Sequence, residues 1–295
     1  AIFTNLTQDH LNIHGTMENY AKCKQKLFNS IKPGGKAIVN YDDKNKDLFL
    51  LDYNTNITYG FTGGDYKVND FQMNILGSSF TFINDGVKQD IKVPLIGKYN
   101  IYNALCCIIV LDELSFTYSS ISDVMKNISS PAGRMDMVEY KNNRIIIDYA
   151  HTADAILNVI STVKEVCDGH IYTVFGCTGD RDRTKRPIMT KLVTDLCDKA
   201  IITCDDVHNE DPNQIVDDML EGLKNTNYEI ELDRKKAIIK GIKMLDTNDC
   251  LLVLGKGHEE VMIVKDNKKI PFNDKKTVLA YLETKKMVRI EKIDD

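Results

Sequence analysis

Two patterns of apolar spacing divide the chain. From about Gly133 onward, short apolar runs of strand length alternate with longer amphipathic ones. RIIIDYA precedes ADAILNVISTVKEVC, HIYTVFG precedes RPIMTKLVTDLC, AIITC precedes NQIVDDMLEGL, and YEIEL precedes RKKAIIKGIKML. DCLLVLG is then followed by a hairpin pattern and the helical DKKTVLAYLETKK. Strands alternating with helices predict βαβ units, hence an α/β domain with a doubly wound, mostly parallel sheet. Residues 1–132 are more mixed. MENYAKCKQKLFNSI reads as an amphipathic helix with Tyr20, Leu27 and Ile31 on one side. AIVN, Ala37 to Asn40, reads as a short strand, and NITYGF, FQMNILG and SSFTFIND alternate as antiparallel strands do. IYNALCCIIVLDEL is apolar enough for a helix buried on most sides. Pro131 and Gly133 mark the change of pattern, which predicts one domain over 1–132 and a second over 133–295.

Composition narrows the function more than the fold. The 295 residues suffice for two domains of ordinary size. A formal net charge of −5 argues against a nucleic-acid binder held by phosphate contacts. No apolar run approaches the roughly 20 residues of a membrane helix, and no signal-peptide pattern stands at the start. None of the eight cysteines forms C-x-x-C, and most sit inside apolar runs. They read as small buried hydrophobes in a reducing cytosol rather than as disulfides or zinc ligands. The expectation is a cytoplasmic monomer with no nucleic-acid partner and no membrane insertion. The chain enters an apolar strand end at once, in AIFTNLTQDH, so a fragment lacking its N-terminal part is expected.

In parallel sheets, ligands bind at the carboxyl ends of the strands, and here those ends are loaded. RIIIDYA runs into HT with Asp148 and His151, and TVFG runs into CTGDRDRTKR. AIITC runs into DDVHNEDP, and LLVLG into KGHEE. The opposite ends, such as VCDGH and TNDC, look like ordinary turns. Four polar loops from separate strands should converge on one rim. Arg181, Arg183 and Arg186 offer forks for carboxylate or phosphate, and Asp205, Asp206, Glu259 and Glu260 suit an ammonium. A rim of both signs fits a zwitterion such as an amino acid. The structural alternative is that these arginines pair with neighbouring aspartates. In the first domain, Asp9, His10 and His14 lie close in sequence, as metal ligands do, without a specific signature. Lys24 reads as a solvent-facing lysine. Asn100 and Asn103, at i and i+3, suit a purine edge or, more simply on spacing, a helix cap. A G-x-x-x-x-G-K-[ST] phosphate loop is absent, since PGGKAIVN has neither its spacing nor its hydroxyl.

FTNLTQDHLNIHGTMENYAKCKQKLF, LIGKYNIYNAL, GRMD, DYAHT, FGCTGDRDRTKRPIM, NEDP and GKGHEE occur in the order found in Mur ligases. The chain resembles that family over nearly its whole length, in particular the branch that adds the third amino acid of the peptidoglycan precursor. The resemblance implies a three-domain cytoplasmic enzyme of cell-wall synthesis, of which this chain matches the later part of the central domain and the whole C-terminal domain. ATP would phosphorylate a carboxylate of UDP-N-acetylmuramoyl-L-alanyl-D-glutamate, and the amine of a diamino acid would attack the acyl phosphate. By position, Lys24 matches a lysine that becomes carbamylated and ligates magnesium, and His10 a metal-binding histidine. Asn100 and Asn103 match nucleotide contacts. Arg134 and Asp148 match residues that reach ATP when the C-terminal domain closes, with Tyr149 and His151 beside them. Arg181, Asp205, Asp206, His208, Gly255 and Glu259 match the pocket for the incoming amino acid. Two departures stand out. The family's phosphate loop and acidic magnesium motif lie upstream of Ala1, so the 295-residue chain alone is expected to be inactive. Where meso-diaminopimelate enzymes read Asp-Asn-Pro-Arg, this chain reads Asp205-Asp206-Val207-His208. The lost arginine and the added acid lean towards lysine over meso-diaminopimelate. Alternatives are a non-catalytic nucleotide- or precursor-binding relative, or a folate-polyglutamate or cyanophycin synthetase.

Overall fold

The computed structural model describes residues 1–7, 11–52 and 55–291. The chain forms two compact units, Ala1–Ser129 and Ser130–Asp295.

The first unit contains β1 (Ile2–Phe3), α1 (Leu11–His14), α2 (Met17–Asn29), β2 (Lys36–Asn40), β3 (Thr55–Gly60), β4 (Tyr66–Asn74), β5 (Gly77–Asn84), β6 (Val87–Val93), α3 (Lys98–Glu113) and α4 (Tyr118–Met125). Its strands lie in sequence order, with β1 to β4 parallel and β4 to β6 antiparallel. Alternation in β2 sorts two cores. Ile38 joins Ile57 and Tyr59 beneath α3 and α4, whereas Ala37 and Val39 turn to Phe3, Phe49 and α2.

Two expectations need correcting here. In α2 the buried residues are Ala21 and Phe28, and Tyr20 and, just past the helix, Ile31 pack partly against the same core, but Leu27 is 60% exposed. Met17, Ala21, Lys24 and Phe28 share one helical stripe, so Lys24 lies on the packed side and is half-buried rather than solvent-facing. In α3 an exposed face carries Asn103 and Cys107, opposite a face of Ile101, Leu105, Ile108 and Ile109.

The second unit contains β7 (Asp136–Tyr140), β8 (Asn143–Asp148), α5 (Ala153–Lys164), β9 (Ile171–Cys177), α6 (Lys185–Leu196), β10 (Lys199–Cys204), α7 (Pro212–Leu220), β11 (Tyr228–Ile230), α8 (Arg234–Met244), β12 (Cys250–Leu254), β13 (Val261–Val264), β14 (Lys268–Pro271) and α9 (Asp274–Glu291). The main sheet runs β11-β10-β9-β12-β8-β7, parallel except for β7, and β13 pairs with β14 as a hairpin. The central strands are apolar on both faces, as buried parallel strands must be. Ile145, Val174, Ile201, Leu251 and Val253 pack against α8 and α9. Helices α5, α6 and α7 pack side by side. The α/β architecture read from the strand–helix alternation is the one observed.

Candidate active site

Parallel register brings the loaded loops to one edge of the second sheet. Leu254 is level with Asp148, and Cys204 with Cys177. The segments that follow, at 148–151, 178–186, 205–211 and 255–260, therefore leave the same rim, and glycines let them interlock. A Cβ on Gly133 would lie 2.1 Å from the amide nitrogen of His258, and one on Gly257 would lie 2.8 Å from the carbonyl oxygen of Gly133. Both residues have positive φ, +65° and +53°. The GRMD and GKGHEE segments thus meet backbone to backbone, with no room for a side chain between them.

Asp148, at the end of β8, is buried and accepts N–H bonds from Met135 at 2.7 Å and Ala150 at 2.8 Å. Burial pushes its carboxyl above the usual range, against the pull of those N–H donors and of Arg134. The Arg134 guanidinium lies 4.8 Å from the Tyr149 ring centre. The Tyr149 ring also meets His151 at 4.6 Å and His258 at 5.4 Å. His151 Nδ1 lies 2.8 Å from the Tyr149 carbonyl oxygen. Burial, then the Glu259 charge, raises the Tyr149 phenol. Arg134, Asp148, Tyr149 and His151 therefore form one cluster.

Beside it lies a group that sequence reasoning missed. Lys256 is fully buried, and its Nζ lies 2.6 Å from Glu259, 2.8 Å from Asp206 and 3.4 Å from Asp205. Burial pulls the ammonium down, but the carboxylates more than offset this and hold it above its usual value. Burial pushes the Asp205 carboxyl up, opposed by Arg234 and Lys256. Asp206 also accepts the Ile263 N–H at 2.7 Å. Gly255 has φ +111°, and a Cβ there would meet Asp205 Oδ2 at 2.8 Å. His208 is half-buried, and its Nδ1 bonds Asn267 at 2.7 Å on the hairpin side. The available signal for Lys256 was its place one glycine beyond a run of five apolar residues, CLLVL.

The charged stretch after β9 divides by role. Arg186, 1% exposed, bonds both oxygens of Glu210 at 2.8 and 2.7 Å, Asp218 at 2.7 Å and the Thr178 carbonyl at 3.1 Å. Arg183 forks onto Asp218 at 2.7 and 2.9 Å. These two arginines follow the structural alternative and fasten the loop to α7. Arg181 is exposed and makes no ion pair among the described residues. Arg183 holds the Asp218 carboxyl well below the carboxylate range, and Arg186 lowers Glu210. A carboxyl lowered in the fold stabilises it above the unfolded pKa, and that contribution is lost as pH falls towards the folded value. The chain should therefore lose stability steadily below about pH 4. Asp218→Asn should flatten that part of the curve in denaturation measured across pH, and an unaltered slope would count against the network.

In the first unit, Lys24 Nζ stands 4.9 Å from the Tyr20 ring centre, and His14 stacks on the same ring at 4.9 Å. His10 and Asp9 lie outside the described residues. The cap of α3 is Gly97, not an asparagine side chain. Asn100 instead donates to the Ile96 carbonyl at 2.8 Å, and Asn103 reaches Asn100 at 3.4 Å. The reading of these amides as caps is thereby corrected: Asn100 turns back to a carbonyl before the helix, and Asn103 stays on the exposed face. Sequence reasoning also passed over Asp42, after β2, which accepts from Phe61 N and Tyr102 Oη at 2.6 Å each and from Thr62 N at 3.1 Å. All eight cysteines are free; Cys106, Cys177, Cys197 and Cys250 are buried, but Cys23 and Cys107 are exposed.

Comparison with known proteins agrees with this geometry. The middle domain of Mur ligases matches residues 1–111, and the glutamate ligase domain of Mur ligases matches residues 133–257. A Clostridium acetobutylicum protein named UDP-N-acetylmuramoyl-L-alanyl-D-glutamate--2,6-diaminopimelate ligase 1 is 39% identical over 287 residues, covering 96% of this chain and 59% of that protein. A Fusobacterium nucleatum protein, named as the same ligase, is 40% identical over 298 residues, covering 98% and 60%. A solved structure of such a diaminopimelate ligase superposes with a TM-score of 0.68 at 31% identity, over 96% of this chain and 60% of that one. The chain thus spans about three fifths of the length of the relatives it matches. With both domain matches in order along it, the chain belongs to the Mur ligase family.

Proposed function

We propose that this chain forms part of an ATP-dependent ligase that joins 2,6-diaminopimelate to UDP-N-acetylmuramoyl-L-alanyl-D-glutamate in cytoplasmic peptidoglycan synthesis. The observation that carries the reading is the two-signed rim of the second unit in a chain of this family. The chemistry follows from the substrates. A free carboxylate resists an amine, so transfer of a phosphoryl group from ATP supplies a leaving group. The uncharged amine then forms the amide and expels phosphate, with ADP as the other product. In this reading Arg134, Asp148, Tyr149 and His151 are the nucleotide-binding residues of the second unit, and Asn100 and Asn103 those of the first. Arg181, Asp205, Asp206, His208, Gly255 and Glu259 serve the amino acid. Bound magnesium would neutralise phosphate charge. Lys24 with His10 would hold it, and the lysine suits that role only as a carbamate, which offers a hard ion an oxygen where an ammonium would repel it. No helix among the described residues is long and apolar enough to cross a membrane.

The choice of amino acid turns on charge. The lean towards lysine took Asp206 as a free negative charge, but its carboxylate is committed to Lys256 and Ile263. Arg183, another cation available for a distal carboxylate, is committed to Asp218. Arg181 is left uncommitted, and the relatives carry diaminopimelate in their names. We therefore favour diaminopimelate, with Arg181 gripping a carboxylate that lysine lacks. A charge-assisted hydrogen bond contributes about 1.5–3 kcal/mol, so meso-diaminopimelate should bind roughly tenfold or more tighter than L-lysine. Calorimetric titration of the chain, with and without magnesium–ATP, measures this. Arg181→Ala should erase the difference. Equal or tighter binding of lysine to the unaltered chain would reverse the assignment.

A further inference from the structure

We propose that Lys256 is the positioning residue of the amino-acid pocket: its buried ammonium clamps Asp205, Asp206 and Glu259 and so sets where the ammonium of the incoming diamino acid is held. The proposal rests on the amino-acid reading of the rim given above. An ammonium has three N–H donors and no acceptor, and Lys256 Nζ has three carboxylate oxygens within 3.4 Å. Such a lysine is matched to its surroundings rather than stranded in them.

The acids also need a cation. Oxygens of Asp205, Asp206 and Glu259 all lie within 4.8 Å of one another. Like charges at that spacing repel, and two of the three residues are buried. One ammonium against three carboxylates still leaves the cluster negative, which suits a second, incoming ammonium. The burial pattern says which acid receives it. The Asp205 and Asp206 side chains are 6% and 11% exposed, whereas that of Glu259 is 32% exposed. Glu259, which Lys256 holds through Oε2 and which also meets the Tyr149 phenol, is therefore the acid nearest the open side. The clamp also ties three pieces of chain together. Asp206 accepts from the hairpin at Ile263 N, Asp205 Oδ1 accepts from Asp206 N at 2.7 Å, and Glu259 N closes a turn on the Lys256 carbonyl at 3.0 Å. Moving Lys256 would release all three acids together.

The test uses the 295-residue chain with Lys256→Met and Lys256→Arg, each followed by thermal melting and by calorimetric titration with meso-diaminopimelate and L-lysine. Lys256→Met should melt lower than the unaltered chain and bind at least about tenfold more weakly. Its binding should also become pH-dependent across the carboxylate range, because the three acids now repel one another, and Lys256→Arg should recover most of the affinity. If Lys256→Met does not fold, Lys256→Ala with added propylammonium replaces it. That ion restores the deleted atoms, so recovery of melting temperature or affinity supports the clamp, and no recovery overturns it. A folded Lys256→Met chain with unaltered melting and affinity overturns the proposal. So does lower melting with unaltered affinity and pH profile, which would make Lys256 structural only. Failure of the unaltered chain to bind either amino acid would overturn the pocket reading itself. The melting arm tells that failure apart, since it reports on the clamp without any ligand.

Discussion

Arg234→Met is expected to cost the second unit about 3–5 kcal/mol of folding stability, the range for breaking a buried ion pair from one side. Arg234 opens α8 and reaches Asp274, the first residue of α9, through Nε at 2.8 Å and Nη2 at 2.8 Å. Both side chains have zero exposure. Nη2 also bonds the Leu254 carbonyl at 2.9 Å, the last residue of β12. Removing the guanidinium leaves a carboxylate sealed away from water with its cation gone, and frees the strand end that feeds the Lys256 loop. Arg234 Nη1 is buried without a partner, so the pair already carries an unmet cost. An apolar double replacement, Arg234→Met with Asp274→Leu, should therefore recover much of the loss. Urea denaturation of the three chains measures it. A single-variant loss under about 1 kcal/mol would mean that water reaches Asp274 after all.

Gly133→Ala should be the most damaging small change at the rim. Its φ of +65° costs an alanine about 1–2 kcal/mol by itself. The added carbon would also stand 2.1 Å from His258 N and 2.2 Å from Gly257 C, and backbone atoms cannot rotate away as a side chain can. The two segments must part, and Arg134 and Tyr149 lose their seat. Gly86→Ala separates the two costs, since Gly86 has φ +78° but nothing within 4 Å of an added Cβ. The Gly133 variant should lose at least twice the stability of the Gly86 variant. Its excess hydrogen exchange should fall at 133–136 and 255–260. Equal losses in the two variants would show that the rim yields without cost.

What was legible in the sequence followed from local rules. The alternation of strand and helix after Gly133 is a periodicity signal, and parallel topology then dictates which ends face a ligand, so the four loops could be assigned to one rim. Four elements escaped this reading, among them α1, a helix of only four residues. β6 and β7 are short and mixed in composition, VKQDIKV and DMVEY, and α4 is only eight residues long. Of the residues read as one side of α2, Tyr20 and Ile31 do pack against the core and only Leu27 was misplaced, because it follows Tyr20 by the same seven-residue spacing that separates Ala21 and Phe28. Periodicity cannot choose between stripes that are neighbours around the helix. The pairing of Arg183 and Arg186 with Asp218 and Glu210, and of Lys256 with Asp205 and Asp206, joins residues 24 to 51 positions apart. Such partners become visible only when the sheet has set the loops side by side. Resemblance to the family drew attention to Asp205, Asp206 and Glu259, but not to the lysine between them.

The place of β12 in the sheet bears on how the unit is made. β12 spans Cys250–Leu254, yet it lies between β8 and β9, which end at Asp148 and Cys177. While the chain is being synthesised, β7 with β8, and β9 with β10 and β11, can assemble as two separate ribbons. Each ribbon holds one long side open, along Arg144 to Asp148 and along Ile171 to Val174, until β12 leaves the ribosome. Both margins carry apolar residues that the finished fold buries, among them Ile145, Ile147, Ile171 and Val174, so the nascent protein keeps two sticky edges for some seventy further residues after β9 is complete. Closure waits on one late five-residue strand joined by contacts far apart in sequence, which sets a slow final step.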